Sequence, residues 1–337
     1  MIIDNCNPAR PARRPLPLRL LSALPLAAAL CTAALPAHAG LTFTTTFDAS
    51  VDALARTAIL NSLAEYSFSD NVNVSLYFKN SGNGLGTSST FSFGVNYQTY
   101  YNALVADGTL GPGTDTTALA RLAVDGSGAT NPVNSTGFIS QGRAGLAAVG
   151  IVVNTTGLDT GAGDGLYYDG VIDLNLGLMN YDRITINPNK YDLKAVTQHE
   201  VNEVMGTISN VTQSNPRPAD LFRFDGSVGT GNGVRSFTSN TSSLAYFSID
   251  GTTLLSRYNQ SGIGDWGDWF SCPNAAPVSQ VQDACSSPGA TPNLGVEITL
   301  LDAIGWTVRA ANGVPEPGSL ALIGLALFGL AASRRKA

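Results

Sequence analysis

The sequence predicts an α+β fold with a long functional helix and a loop-rich C-terminal part. Three observations carry that expectation. Apolar residues recur at helical spacing in Val51, Leu54, Ala55, Ala58, Ile59 and Leu63, and again around His199. Strict alternation marks Val72-Asn73-Val74-Ser75-Leu76-Tyr77-Phe78 as a strand. Beyond about residue 210 the chain turns to short apolar runs separated by Gly, Pro, Asn and Asp, the residues of turns. Only 13% of residues are charged while 44% are apolar, which fits an exported protein with a real core and excludes a disordered chain.

In order, the stretch from Phe47 to Phe68 reads as a helix that Asp48 or Ser50 could cap. Ser81 to Gly86 reads as a turn or loop, and Thr90 to Val95 as a second strand. Helices are expected over Tyr97–Ala106, Thr114–Val124 and Gly142–Val149, with Asn131–Thr136 as a loop and Gly150–Val153 as a short strand. Asp159 to Gly165, with Asp169-Gly170 after it, is rich in Gly and Asp. Calcium sites use such acids on turns, and a solvated loop gives the same pattern; the spacing is not that of an EF-hand. Gly170–Leu174 and Arg183–Ile186 read as strands before the long helix. Pro216 to Gly226 is a turn and strand, Ala245 to Gly251 a strand ending in a turn, and Asn293 to Trp306 a last helix. The organisation expected is a leader at 1–39, a first subdomain at 40–210, a loop-rich second at 211–313, and a tail at 314–337.

The long helix, about Asp192 to Ser209, holds the chemistry. Asp192 can cap it. Leu193, Val196, Val201, Val204, Met205 and Ile208 supply its apolar positions. Residues four apart share a helix face, so His199 and Glu203 point the same way with Glu200 beside them. This is the layout of the H-E-x-x-H motif with glutamate for the second histidine. In that motif the outer pair binds zinc and the inner glutamate is the general base. Carboxylate oxygen is an acceptable zinc ligand, so His199 and Glu203 can still hold a metal, with Glu200 catalytic. An amphipathic helix with solvated acids gives the same spacing.

The termini are informative. Arg10, Arg13, Arg14 and Arg19 precede the apolar run Leu20–Leu35, and Ala37-His38-Ala39 fits a signal-peptidase site, so maturation near Gly40 is expected. That leaves Cys272 and Cys285 as the only cysteines, expected to pair in an oxidising compartment. Between Gly40 and Gly313 there are 12 basic and 23 acidic residues, a net charge of −11, which excludes a basic nucleic-acid-binding face. At the other end, Val314-Pro315-Glu316-Pro317-Gly318-Ser319 precedes the apolar run Leu320–Ala332 and then Ser333-Arg334-Arg335-Lys336. This resembles the PEP-CTERM sorting signal of Gram-negative bacteria that make exopolysaccharide. It implies an exosortase partner, transient membrane contact through the tail helix, and delivery to the surface or extracellular matrix.

Several stretches together carry a wider resemblance: His199 to Gly206, Asp220-Leu221-Phe222-Arg223-Phe224, Ala245 to Gly251, Asp265 to Trp269, and Leu301-Asp302-Ala303-Ile304-Gly305-Trp306. The chain resembles the PEP-CTERM-sorted metalloproteases that share His-Glu-x-x-Glu-Val-Met-Gly. His199, Glu200 and Gly206 also match the metzincin motif, whereas Glu203 and Ser209 stand where its other two histidines would be. The resemblance implies a metzincin-like α+β architecture with a small twisted mixed sheet. It also implies a zinc-dependent peptidase acting on extracellular protein or peptide. Asp220 is the candidate third ligand, beside a plainer role as a turn or cap residue. The alternative expectation is a catalytically inactive, metalloprotease-like matrix or surface protein associated with exopolysaccharide, favoured by the absence of the second and third histidines.

Overall fold

The computed structural model describes residues 40–108, 114–126, 128–153, 158–159, 166–227, 231, 233–272 and 278–309. The expected leader, the sorting tail and most of the Gly/Asp loop, 160–165, lie outside the described residues. Among the described residues, no helix is long and apolar enough to cross a membrane.

The architecture is α+β, as expected, and its centre is a four-stranded mixed sheet. Strand β1 is Thr42–Phe47, β2 is Asn73–Asn80 and β3 is Gly86–Thr90. A small hairpin-like pair follows from β4, Ser92–Asn96, and β5, Phe138–Gly142; the last strand of the main sheet is β6, Gly170–Leu174. The main sheet runs in the order β1-β2-β6-β3. β1 and β6 pair with β2 in parallel, while β3 runs antiparallel along β6 and forms the edge. β2 sits between two neighbours, and Val74, Leu76 and Phe78 on it are wholly buried.

Among the described residues, six α-helices surround this frame: α1 Ala53–Leu63, α2 Tyr97–Asp107, α3 Thr114–Gly126, α4 Arg143–Ala148, α5 Leu193–Asn202 and α6 Val296–Ala303. α1 starts later than the sequence suggests, because β1 continues through Phe47 and the cap is Asp52. Its Oδ1 accepts from the Leu54 and Ala55 amides, both at 2.9 Å. Asp48 accepts the Ser50 amide and the Tyr77 hydroxyl instead. The expected strand at Arg183–Ile186 is a turn: Asp182 accepts from the Ile184 and Thr185 amides, and Arg183 reaches across to Asp192 and the Pro292 carbonyl. Gly150–Val153 likewise forms no strand. Three short strands, β7 Arg223–Asp225, β8 Ala245–Phe247 and β9 Ser256–Arg257, form an antiparallel sheet in the second half. One continuous apolar core takes Val74, Leu76 and Phe78 together with Leu221, Phe247, Trp269 and Trp306, so residues on both sides of position 210 share it.

Asp70, Asp107, Asp115 and Asp302 are each raised by burial, and Asp70 and Asp302 add to the rise of Asp107 and Asp115. Burial, then the neighbouring acids, pushes Asp107 up to about 7 and Asp115 up to about 6. The native state therefore keeps protons that the unfolded chain releases near pH 4. Stability from these groups is present below about pH 4 and is lost as pH rises through 6 and 7. The melting temperature should fall between pH 5 and 8, and Asp107→Asn should make that decline shallower. Calorimetry across that range checks this; parallel profiles for the two proteins would overturn it.

Candidate metal centre

Helix α5 begins as its sequence suggests, with Asp192 Oδ2 accepting the Ala195 amide at 3.2 Å. It ends sooner. After Asn202 the backbone opens into one wide π-type turn, Glu203–Thr207, which Gly206 closes at φ 135°. A Cβ there would stand 2.6 Å from Gln141 Nε2 and 2.9 Å from Ile304 Cδ1, so both the backbone angle and the packing require glycine. Such single π turns occur often at functional sites. Trp306 fixes this end by donating from its indole to the Met205 carbonyl at 3.0 Å.

The spacing of four puts His199 and Glu203 together: His199 Nε2 lies 3.7 Å from Glu203 Oε1. The third member comes from elsewhere. Asp268 Oδ1 lies 3.3 Å from the same His199 nitrogen. One ligand atom from each of the three residues falls within 4.8 Å of the others. That is a donor set of one imidazole nitrogen and two carboxylate oxygens, suited to a divalent cation. The His199 ring is oriented by its other nitrogen. Nδ1–H donates to the Val281 carbonyl at 3.0 Å, which turns Nε2 toward the two acids. Ser88 donates to Glu203 Oε2 at 2.5 Å and orients that carboxylate.

Asp220, the expected third ligand, is not at this centre. Its carboxylate accepts from the Ser209 hydroxyl and from the Asn210 and Arg217 amides. These bonds tie the chain leaving α5 to the turn before β7, the plainer of its two expected roles. Asp268 had a faint sequence signal, two acids three apart in Gly264-Asp265-Trp266-Gly267-Asp268-Trp269. Nothing local to that stretch says that it folds against α5. The calcium expectation falls largely on residues outside the described part; Asp169 beside it is paired with Arg143.

The three residues line a cleft of about 360 Å³. Leu85 to Ser88, at the edge strand β3, form one wall; Gly264, Asp265 and Asp283 form another. Glu200 also faces in, and neither Lys nor Arg is among the lining residues. The consequence is electrostatic. Burial, and after it Asp268, pushes Glu200 up to about 7, while its hydrogen bond to Glu203 and the His199 charge restrain the rise. Burial and then Glu200 hold Glu203 well above the carboxylate range. Burial alone would lower the His199 imidazole, but Asp268, Glu200 and Glu203 outweigh it and hold it well above the histidine range. A cleft with this surplus of buried carboxylate suits a divalent cation, which would offset the repulsion these shifts express.

A family model for the PEP-CTERM protein-sorting motif matches residues 313–336. The chain carries a PEP-CTERM sorting signal. That signal implies export, surface sorting in Gram-negative bacteria and processing by an exosortase. Cys272 and Cys285 are disulfide-bonded, with Cα atoms 5.3 Å apart, in keeping with an exported chain. No curated protein and no solved structure matches the chain.

Proposed function

We propose that this exported protein is a zinc-dependent peptidase acting on extracellular protein. The observation that carries the reading is the convergence of His199, Glu203 and Asp268 in a cleft walled by the edge strand β3. His199, Glu203 and Asp268 would hold the metal. Zinc bound there supplies Lewis acidity, polarising a carbonyl and making water a better nucleophile near neutral pH.

The protein's own groups do the rest. β3 ends the main sheet among the described residues, and its outer amides and carbonyls can bind an extended peptide as an added strand, which lays its backbone across the cleft. This resembles the zinc proteases, in which an edge strand lies over the metal-binding helix; the likeness is an analogy. Glu200 sits beside the ligand pair without belonging to it. A buried carboxyl of raised basicity can take a proton from attacking water and return it to the departing amine.

Gly86 makes that placement possible. A Cβ at Gly86 would stand 2.6 Å from Glu200 Oε1 and 2.9 Å from Val196 Cγ1. Gly86→Ala should therefore displace the Glu200 carboxyl and lower kcat by up to about 100-fold with zinc retained, because a shift of about 1 Å at a reacting group costs that much. Steady-state kinetics beside metal analysis checks it; unchanged kcat would remove Glu200 from the base role or β3 from the cleft.

The reading as a whole is tested on the exported protein made without a histidine tag. Elemental analysis should find one zinc per chain, and casein should be digested. A chelator should stop digestion and added zinc should restore it. Protein that carries no metal, takes none up and cuts nothing would sink the peptidase reading and favour the inactive surface scaffold.

A further inference from the structure

We propose that Gln282 is a positioning residue for this centre, and that the Cys272–Cys285 disulfide holds it in place, so that the centre is complete only in oxidised protein. The inference rests on the metal reading above.

Two segments of the second half embrace α5. One carries Asp268, the proposed ligand; the other carries Val281, whose carbonyl orients the His199 ring. Gln282 lies between them, wholly buried. Its Nε2 donates to Asp268 Oδ1 at 3.1 Å, and its Oε1 accepts from Asn202 Nδ2 at 3.2 Å. Asn202 in turn accepts the Tyr66 hydroxyl at 2.7 Å. A buried chain of hydrogen bonds thus runs from Tyr66 through Asn202 and Gln282 to the ligand oxygen that faces His199. Partners of this kind orient a ligand and raise its affinity.

Backbone contacts also hold the two segments in register. Trp269 donates its amide to the Gln282 carbonyl at 2.7 Å, the Ala284 amide donates to the Trp269 carbonyl at 3.1 Å, and the Cys285 amide donates to Ser271 Oγ at 2.8 Å. The disulfide joins the ends of these contacts, 13 positions apart in sequence. Cys272 is four residues from the ligand and Cys285 three from Gln282, so the bond clamps both at once. Its formation removes two electrons and two protons from the thiols by exchange with a disulfide oxidant of the export compartment; a thiol or phosphine reductant returns them. The chain would therefore hold zinc weakly before export and tightly after it, which keeps a peptidase idle in the reducing compartment where it is made.

The test is a competition titration of zinc against a chromophoric chelator, on four samples of the exported chain: oxidised wild type, phosphine-reduced wild type, Cys272→Ser/Cys285→Ser, and Gln282→Ala with its disulfide intact. Circular dichroism reports the fold, and the absorption spectrum of the cobalt-loaded protein reports coordination. Relative to oxidised wild type, the other three should bind zinc about 10–100-fold more weakly, with an altered cobalt spectrum in Gln282→Ala. Equal affinity and spectrum across folded samples would overturn this inference and leave the metal reading standing. Oxidised wild type that binds no zinc would overturn both. If the cysteine variant fails to fold, Gln282→Ala and the reduced wild type decide the matter.

Discussion

Asp268→Ala should abolish stoichiometric zinc binding and, with it, casein digestion. The residue supplies one of three converging ligand atoms, and its loss leaves a two-point site. The fall in affinity should exceed the about 10–100-fold typical of outer-shell substitutions. The fold should survive, because removing one buried acid from a cleft that also holds Glu200, Glu203 and Asp265 relieves repulsion even as Gln282 loses a partner. His199→Ala should match it, since imidazole is the one nitrogen donor of the set. The instructive comparison is Asp220→Ala. Its carboxylate holds one hydroxyl and two backbone amides and touches no member of the centre, so zinc affinity should be unchanged while stability drops by about 2–3 kcal/mol, the scale of stranding buried donors to a charged group. Metal titration and denaturant unfolding of the three variants separate the roles; loss of zinc in Asp220→Ala with Asp268→Ala unaffected would reverse the ligand assignment.

Glu200→Gln should leave zinc in place and remove activity. The amide keeps the shape of the side chain and its contact with Glu203, but it has no basic oxygen with which to take a proton from water. General-base catalysis contributes about 10²–10⁴-fold, and kcat should fall by that much with KM little changed. Zinc content should stay at one per chain, and affinity for the metal should hold, because Glu200 is not among the converging ligand atoms. Converting a titrating carboxyl into a neutral amide should also remove the Glu200 ionisation from the pH profile of kcat/KM. Full activity in this variant would take Glu200 out of the mechanism.

The sequence by itself determined what depends on neighbours within a few residues. A period of 3.6 residues is enough to place His199, Glu200 and Glu203 on one side of α5, and Asp192 caps that helix as its position suggests. The sorting signal is a run of consecutive residues, and the two cysteines beyond the expected leader had only each other to pair with. Only the tertiary structure brought Asp268 to the candidate centre and formed the wall of the cleft. Asp268 reaches His199 because β7, β8 and β9 carry the downstream segment back onto α5, a topological fact with no local period. β3 reads as Gly86-Thr87-Ser88-Ser89-Thr90, which lacks apolar alternation because it is a half-exposed edge, so its strand character appears only through its pairing with β6. Asp220 carries the right chemistry for a ligand, and the turn around it turns that carboxylate inward to the backbone. A residue type states what a side chain can do; the packing of distant segments decides which of those things it does.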